Sequence, residues 1–311
     1  MHPNPLPAPL TLHRRSVLAL LCLGWVPTVG RTAVRELRVI TAPDSTSQRP
    51  ILQALTARYP SLVTEAAPSA TEARRTQGTI VALGPIALRH ALASELKGPV
   101  IATLTSSQTY RRLTAAAPPD APPVTAIYAD ASPLAQLQLI AALFERRVTV
   151  GVLLSDASAY LEKPLRQAAA LTGLDLLFEK LEPSGNIVRA LNRLSGAQVL
   201  LAVPDNSLYT PETLRSVLES TYRQGLPVIG FSAATVAAGT LATAYSDTDD
   251  VVTDLAELLD TLGTPSSGAL AEPRFPRYWR VSVNSSVARS LGMAITEKVL
   301  NLGNRASGRP A

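Results

Sequence analysis

Two segments of the chain share the same order of apolar and amphipathic stretches. Residues 79–106 and residues 198–233 each begin with an apolar run, continue through an amphipathic stretch and end with a second apolar run. This order predicts a strand, a helix and a strand, and the right-handed crossover that joins such strands makes them parallel. The repeat therefore predicts two similar α/β lobes, and it directs the search for function to the cleft between them.

Apolar runs elsewhere extend this pattern into two complete lobes. In the first lobe, strands are predicted at 37–40, 61–64, 79–83, 100–104 and 124–128, with helices at 48–59, 86–97 and 107–115. In the second, strands are predicted at 148–154, 174–181, 198–203 and 227–231, with helices at 133–145, 161–172, 186–195 and 211–224. The predicted fold class is α/β, with two Rossmann-like lobes whose parallel sheets are covered by helices on both faces.

Further elements follow the second lobe: a strand at 240–245, a helix at 249–261, a strand at 279–283 and a helix at 285–291. They fit a chain that crosses back to the first lobe and then returns, which gives three hinge crossings near 128–132, 231–236 and 264–278. Lobe 1 is then expected to comprise 36–130 plus 234–264, and lobe 2 to comprise 131–233 plus 274–300. Residues 301–311 form a tail.

The first 30 residues have the form of a signal peptide. Arg14 and Arg15 precede an apolar run, residues 16–29, that is too short to span a bilayer comfortably, and small residues stand at Thr28 and Gly30. We expect cleavage after Gly30 and export to the periplasm. Ordinary secretion and the twin-arginine route both remain open, and Cys22 leaves a lipoprotein anchor as a further alternative.

Composition excludes several kinds of chemistry. The 311 residues suffice for two hydrophobic cores, and the net charge of +5 is spread without a basic run, so no nucleic-acid partner is predicted. Removal of the signal peptide would leave no cysteine and only His90, which disfavours disulfides, thiol chemistry and zinc. The sequence has neither a Gly-x-Gly-x-x-Gly fingerprint nor a Walker loop, so no cofactor is predicted.

Polar residues that follow predicted strands are the candidate site, because ligands of open parallel sheets meet the carboxyl ends of the strands. Asp205 and Asn206 can hold an ammonium group, the serines and threonines can add donors near helix starts, and Tyr209 and Phe231 can enclose an apolar group. Turn formation, helix capping and core packing are the alternatives for these same residues. The candidate ligand-binding residues are Ser45, Gly84, Thr105, Ser106, Ser155, Asp156, Asp205, Asn206, Tyr209, Phe231 and Ser232.

Residues 230–234 partly resemble the nucleophile elbow that a serine hydrolase has between a strand and a helix. An enzyme of that architecture needs a histidine after its serine, and no histidine follows Ser232 in the sequence. No catalytic residue and no metal ligand is therefore predicted.

Five motifs in order resemble one family over residues 124–293. They are Val-Gly-Val-Leu-Leu at 150–154, Leu-Leu-Ala-Val-Pro-Asp-Asn at 200–206, Leu-Pro-Val-Ile-Gly-Phe-Ser at 226–232, Val-Ala-Ala-Gly-Thr-Leu-Ala at 236–242, and the pair 281–284 and 287–292. This stretch resembles the type I periplasmic substrate-binding proteins of ABC transporters, in particular the group related to tryptophan and tyrosine binding proteins. Residues 36–123 match more weakly, and Asp249 and Asp250 stand where the family usually has a glycine.

The resemblance implies an extracytoplasmic protein that captures a small solute between its lobes and delivers it to an ABC permease in the inner membrane. An amino acid is one candidate solute, and the protein is expected to be a monomer and not an enzyme. Two alternatives on the same fold remain: an envelope enzyme that uses carboxylates, and a ligand sensor.

Overall fold

The computed structural model describes Met1 and residues 37–43, 46–67, 78–182, 185–262 and 270–306. From residue 37 onward these residues belong to one compact unit, Arg35–Ala311. The predicted signal peptide beyond its first residue, and the candidate residue Ser45, lie outside the described residues.

The first sheet has five parallel strands in the order β2-β1-β3-β4-β5. They are β1 Arg38–Thr41, β2 Val63–Ala66, β3 Ile80–Leu83, β4 Val100–Thr103 and β5 Val124–Ala126. The helices between them are α1 Arg49–Arg58, α2 Gly84–Leu92 and α3 Ser107–Ala115. Every residue of β3 and β4 is buried, as expected for central strands covered on both faces.

Within the described part of the chain, the second sheet has six strands in the order β11-β10-β9-β8-β6-β7, and only β11 is antiparallel to its neighbour. The strands are β6 Thr149–Leu154, β7 Asp175–Lys180, β8 Val199–Leu201, β9 Val228–Ile229, β10 Ala242–Tyr245 and β11 Arg280–Val283. The helices from residue 133 onward are α4 Pro133–Phe144, α5 Glu162–Thr172, α6 Ile187–Arg193, α7 Pro211–Arg223, α8 Ala233–Ala237, α9 Thr248–Leu262, α10 Ser285–Ser290 and α11 Glu297–Leu300. The predicted α/β class with two largely parallel sheets is confirmed.

We call the first sheet with α1–α3 and α9 the first lobe, and we call the second sheet with the other helices the second lobe. Helix α9 belongs to the first lobe because Val251, Leu255 and Leu258 pack in one apolar cluster with Val39 of β1 and Leu55 of α1. No helix among the described residues is long and apolar enough to cross a membrane.

The position of β10 contradicts the lobe boundaries expected from the sequence. The sequence pattern assigns residues 234–264 to the first lobe, but β10 lies between β9 and β11 in the second sheet. Backbone bonds from Gly230 to Ala242 (2.9 Å) and from Leu241 to Val228 (2.7 Å) hold it there. The second crossing therefore lies between β10 and α9, at residues 246–247, and not at 231–236.

The third crossing runs along the first sheet before it reaches the second. The N–H of Arg274 donates to the carbonyl of Ala126, and the N–H of Tyr128 donates to the carbonyl of Arg274, both at 2.9 Å. The first and third crossings therefore lie side by side.

Residues 301–306 do not form the free tail expected from the sequence, because the N–H of Trp279 donates to the carbonyl of Asn304 at 2.8 Å.

Candidate functional site

Asp205 is the centre of the polar cluster where the two lobes meet. It follows β8 and is 1% exposed. Its Oδ2 accepts a hydrogen bond from the Ser155 hydroxyl at 2.5 Å, and its Oδ1 accepts from the backbone N–H and the hydroxyl of Ser207 at 2.9 and 2.6 Å. Oδ1 also accepts from Nε2 of Gln108, a first-lobe residue, at 3.1 Å. The carboxylate thus has donors from both lobes.

These donors decide the ionisation of Asp205. Burial alone would raise the pKa of its carboxyl, but hydrogen bonds from Ser155, Ser158 and Ser207 outweigh burial and lower the pKa below its ordinary value. The group is therefore ionised at neutral pH. A buried carboxylate of this kind suits a cationic or strongly donating group of a solute.

A second buried carboxyl, Asp130, lies at the first crossing between β5 and α4. It accepts from the backbone N–H of Ser107 at 2.6 Å and from the Ser107 hydroxyl at 2.5 Å. The Ser107 hydroxyl oxygen lies 2.7 Å from the phenolic oxygen of Tyr160 in the second lobe. Burial raises the pKa of Asp130, although the Ser107 bonds partly oppose this, and burial also raises the pKa of Tyr160.

The first turns of α3 supply the first-lobe side of these contacts. Ser107 reaches Tyr160, Gln108 reaches Asp205, and the guanidinium of Arg111 lies 4.5 Å from the centre of the Tyr160 ring. This last distance is that of a cation–π contact. Three side chains of one helix therefore join the lobes directly.

A small, mostly apolar cavity adjoins this cluster, with a free volume of about 20 Å³. Asp130 and Gln136 are its polar lining residues, and Leu161, Leu165, Val203, Phe231 and Phe275 are among the apolar ones. Such a volume holds about one water molecule, so an amino acid or a sugar does not fit without movement of the lining groups or of the lobes.

Three residues of the candidate site have ordinary structural roles, which are helix capping and surface ion pairing. The hydroxyls of Ser106 and Ser232 cap α3 and α8 by accepting from the backbone N–H of Thr109 and Thr235. Asp156 is exposed and pairs with Lys180 at 2.7 Å. Capping and surface pairing account for these side chains without a ligand.

Gly84 and Thr105 lie at the carboxyl ends of β3 and β4, as predicted. Gly84 has a φ of +84°, and an added Cβ would lie 3.0 Å from Nε2 of Gln48, so the chain requires a glycine there. Thr105 is buried, and the residue before it, Leu104, has a φ of 55°, a strained conformation for leucine. This backbone turn precedes the contacts made by α3.

The two aromatic residues of the candidate site, Tyr209 and Phe231, lie next to each other. The rings of Tyr209 and Phe231 have centres 6.0 Å apart, and Phe231 lines the cavity. Tyr209 is packed in the core beneath Asp205, and burial raises the pKa of its phenol. Asn206 is exposed, and its backbone N–H donates to Oε1 of Gln108 at 3.4 Å.

Sequence reasoning missed Gln108, Asp130 and Tyr160. Asp130 lies within a predicted hinge, so its position alone offers a weak signal. Nothing in the sequence pairs Gln108 with Asp205, since they are far apart along the chain. Among the described residues, no group of three histidine, cysteine, aspartate or glutamate side chains is arranged to hold a metal ion.

No protein-family model matches the sequence, and no curated protein matches it significantly. Solved structures do match. The structure of an ABC domain in complex with L-Trp from Streptococcus pneumoniae has 17% identity and a TM-score of 0.57, and the match covers 87% of this chain and 98% of that one. A substrate-binding protein with adhesive properties from Clostridium difficile, in its ligand-free, open form, has 15% identity and a TM-score of 0.63, covering 88% and 98%.

A conserved domain protein from Vibrio cholerae also matches, with 18% identity and a TM-score of 0.54 over 86% of this chain and 97% of that one. At such identities the likeness shows the fold alone. The chain has the fold of the type I periplasmic binding proteins, as the sequence motifs predicted.

Proposed function

We propose that this protein is an extracytoplasmic solute-binding protein that captures a small solute between its lobes and delivers it to an ABC permease. The observation that carries the proposal is the buried, ionised Asp205, at which donors from both lobes converge. A solute bound there contacts both lobes, so it stabilises one arrangement of the lobes over others. The predicted signal peptide and periplasmic location belong to the same proposal.

An amino acid is the first class of solute to test. The Asp205 carboxylate complements an ammonium group, and the apolar lining that includes Phe231 and Leu165 complements an apolar side chain. The similar structure that was solved in complex with L-Trp supports the same choice.

A thermal-shift screen of the purified protein against amino acids, sugars and short peptides tests the proposal. A hit should raise the melting temperature, and the increase should grow with the logarithm of the ratio of solute concentration to Kd. The solute should be recovered unchanged from the complex. Absence of any hit across these three classes would contradict the proposal.

A carboxylate-dependent envelope enzyme is the second candidate, and one observation favours it. The pKa of Asp130 is raised and that of Asp205 is lowered, and two carboxyls with opposite shifts can act as an acid and a base. Recovery of a chemically altered solute, with the conversion abolished in Asp130→Asn, would establish the enzyme and overturn the transport role.

A further inference from the structure

Gln108 links the first lobe to Asp205 in the second lobe, and its side chain uses both ends of the carboxamide. Nε2 donates to Oδ1 of Asp205 at 3.1 Å, and Oε1 accepts from the backbone N–H of Asn206 at 3.4 Å. The residue is 6% exposed, so these bonds are made away from bulk water. The carboxamide is therefore held as a small bound molecule would be.

The coordination of Asp205 limits how a solute can reach it. Its oxygens already accept bonds from Ser155, from two groups of Ser207 and from Gln108. The serines belong to the same lobe as Asp205 and are held near it by their own strand ends and turn. Gln108 comes from the other lobe on a longer, rotatable side chain, so it is the partner that can leave at least cost.

The burial of Asp205 leads to the same conclusion, because this residue is 1% exposed. The nearby cavity, which Asp130 and Pro204 line, has about 20 Å³ of free volume, which is room for about one water molecule. A solute of amino-acid size cannot be added to the existing contacts. It has to replace some of them, and the Gln108 carboxamide already occupies the donor and acceptor positions that Asp205 and Asn206 offer.

We propose that the Gln108 carboxamide is an internal occupant of the solute site, which latches the lobes together and which the solute displaces. This inference rests on the proposed solute-binding function. The solute group that takes its place presents a donor nitrogen beside an acceptor oxygen, a pattern shared by primary carboxamides and by zwitterionic amino acids. Because the latched protein does not bind solute, the latch lowers the apparent affinity by the fraction of molecules that are unlatched.

The latch is tested first without any solute, by the distance between the lobes. Spin or dye labels at Ala57→Cys on α1 and Glu219→Cys on α7 occupy exposed positions in the two lobes. Cys22, the only cysteine of the chain, is replaced by serine in this background. Gln108→Ala should lengthen the mean distance, and Gln108→Glu should lengthen it further at neutral pH, because two carboxylates then face each other. Gln167→Ala, an exposed glutamine on α5, is the matched control and should leave the distance unchanged.

Chemical rescue tests whether the carboxamide of Gln108 is the group that holds the lobes together. Acetamide, which reproduces the deleted carboxamide, should shorten the distance in Gln108→Ala again, whereas acetate should not. A distance that stays at the parent value in both Gln108 variants, with the fold intact by circular dichroism, overturns the latch. Failure of acetamide to act differently from acetate overturns the assignment of the carboxamide as the occupant.

Affinity then separates the latch from the function on which it rests. For a solute identified by screening, Gln108→Ala should bind roughly threefold tighter or more, since the latched fraction is lost. Weaker binding would make Gln108 a contact of the bound solute and overturn the latch, while the binding function stands. If no solute binds at all, the binding function fails, and the distance measurement still decides whether Gln108 joins the lobes.

Discussion

The hydroxyl of Ser155 donates to Oδ2 of Asp205 at 2.5 Å and so joins the ends of two neighbouring strands, β6 and β8. Each of these residues follows an apolar run in the sequence, which predicts a position after a strand. The bond shows that the parallel sheet brings them together at one edge. It also leaves Oδ1 to face Ser207 and the first lobe.

Removal of the Asp205 carboxylate should weaken solute binding. For a solute found by screening, we expect Asp205→Ala to cost about 2 kcal/mol or more, roughly 30-fold in Kd, because a charged hydrogen-bond partner is lost. Titration calorimetry measures this. Asp156→Ala, which removes an exposed carboxylate paired with Lys180, is the control and should bind normally. Unchanged affinity in Asp205→Ala, with an intact fold, would return Asp205 to the role of a turn residue.

The lowered pKa of Asp205 predicts how stability depends on pH. The folded state favours the ionised carboxylate. The stabilisation that this carboxylate gives to the fold is therefore complete above the ordinary pKa of 3.8 and is lost as pH falls through the lower folded pKa. Asp205→Asn should therefore be less stable than the parent at neutral pH, and the difference should shrink below about pH 4. Urea unfolding at a series of pH values measures it, and a difference that stays constant down to pH 2 would contradict the assignment.

The pH dependence of stability at Asp130 should have the opposite sign. Its pKa is raised by burial, so ionisation costs stability, and the cost develops as pH rises from the ordinary value of 3.8 through the raised folded pKa. Asp130→Asn can still accept from the Ser107 N–H and should be as stable as the parent or more stable at pH 7. At low pH, where Asp130 is protonated, the advantage should disappear. Clear destabilisation at pH 7 that persists at low pH would show that packing, not charge, governs this position.

The ion pair between Asp254 and Arg274 should matter for folding. The Asp254 side chain is fully buried in α9, and its carboxylate accepts two bonds from the Arg274 guanidinium, at 2.5 and 3.0 Å, and one from the backbone N–H of Arg277 at 2.8 Å. Asp254→Ala leaves these donors without their acceptor and should lower the free energy of unfolding by about 3 kcal/mol.

Glu162→Ala provides the matched control for Asp254→Ala. It breaks the exposed pair with Arg166 on one face of α5 and should cost no more than about 0.5 kcal/mol. Denaturant unfolding of both variants under one set of conditions gives the comparison. Equal, small effects would mean that the Asp254 pair adds little to the stability of the hinge region.

Export can be tested on the protein itself. The form of residues 1–30 predicts that the exported protein lacks them, with cleavage after Gly30. Intact-mass measurement of the periplasmic fraction checks this. A full-length species that remains in the cytoplasm would contradict the predicted signal peptide.

Most strands and helices, and the α/β class, follow from local patterns in the sequence. The run predicted as a strand at 148–154 is β6 Thr149–Leu154, and the run at 198–203 contains β8 Val199–Leu201. These predictions succeed because a buried parallel strand needs consecutive apolar residues, a requirement that each segment meets locally. The same reasoning predicted that Ser155 and Asp205 follow strands; Ser155 directly follows β6, and Asp205 lies four residues after the end of β8.

The partners of each element depend on the packing of the whole molecule. The apolar residues of β10 suit either sheet, and hydrogen bonds to β9 and β11 place the strand in the second. Ser106 and Ser107 are adjacent and chemically identical, yet one caps α3 and the other contacts Asp130 and Tyr160. Gln108 meets Asp205 because the two lobes pack against each other. Local patterns record the burial that each residue requires, whereas contacts between distant residues depend on how complete lobes pack.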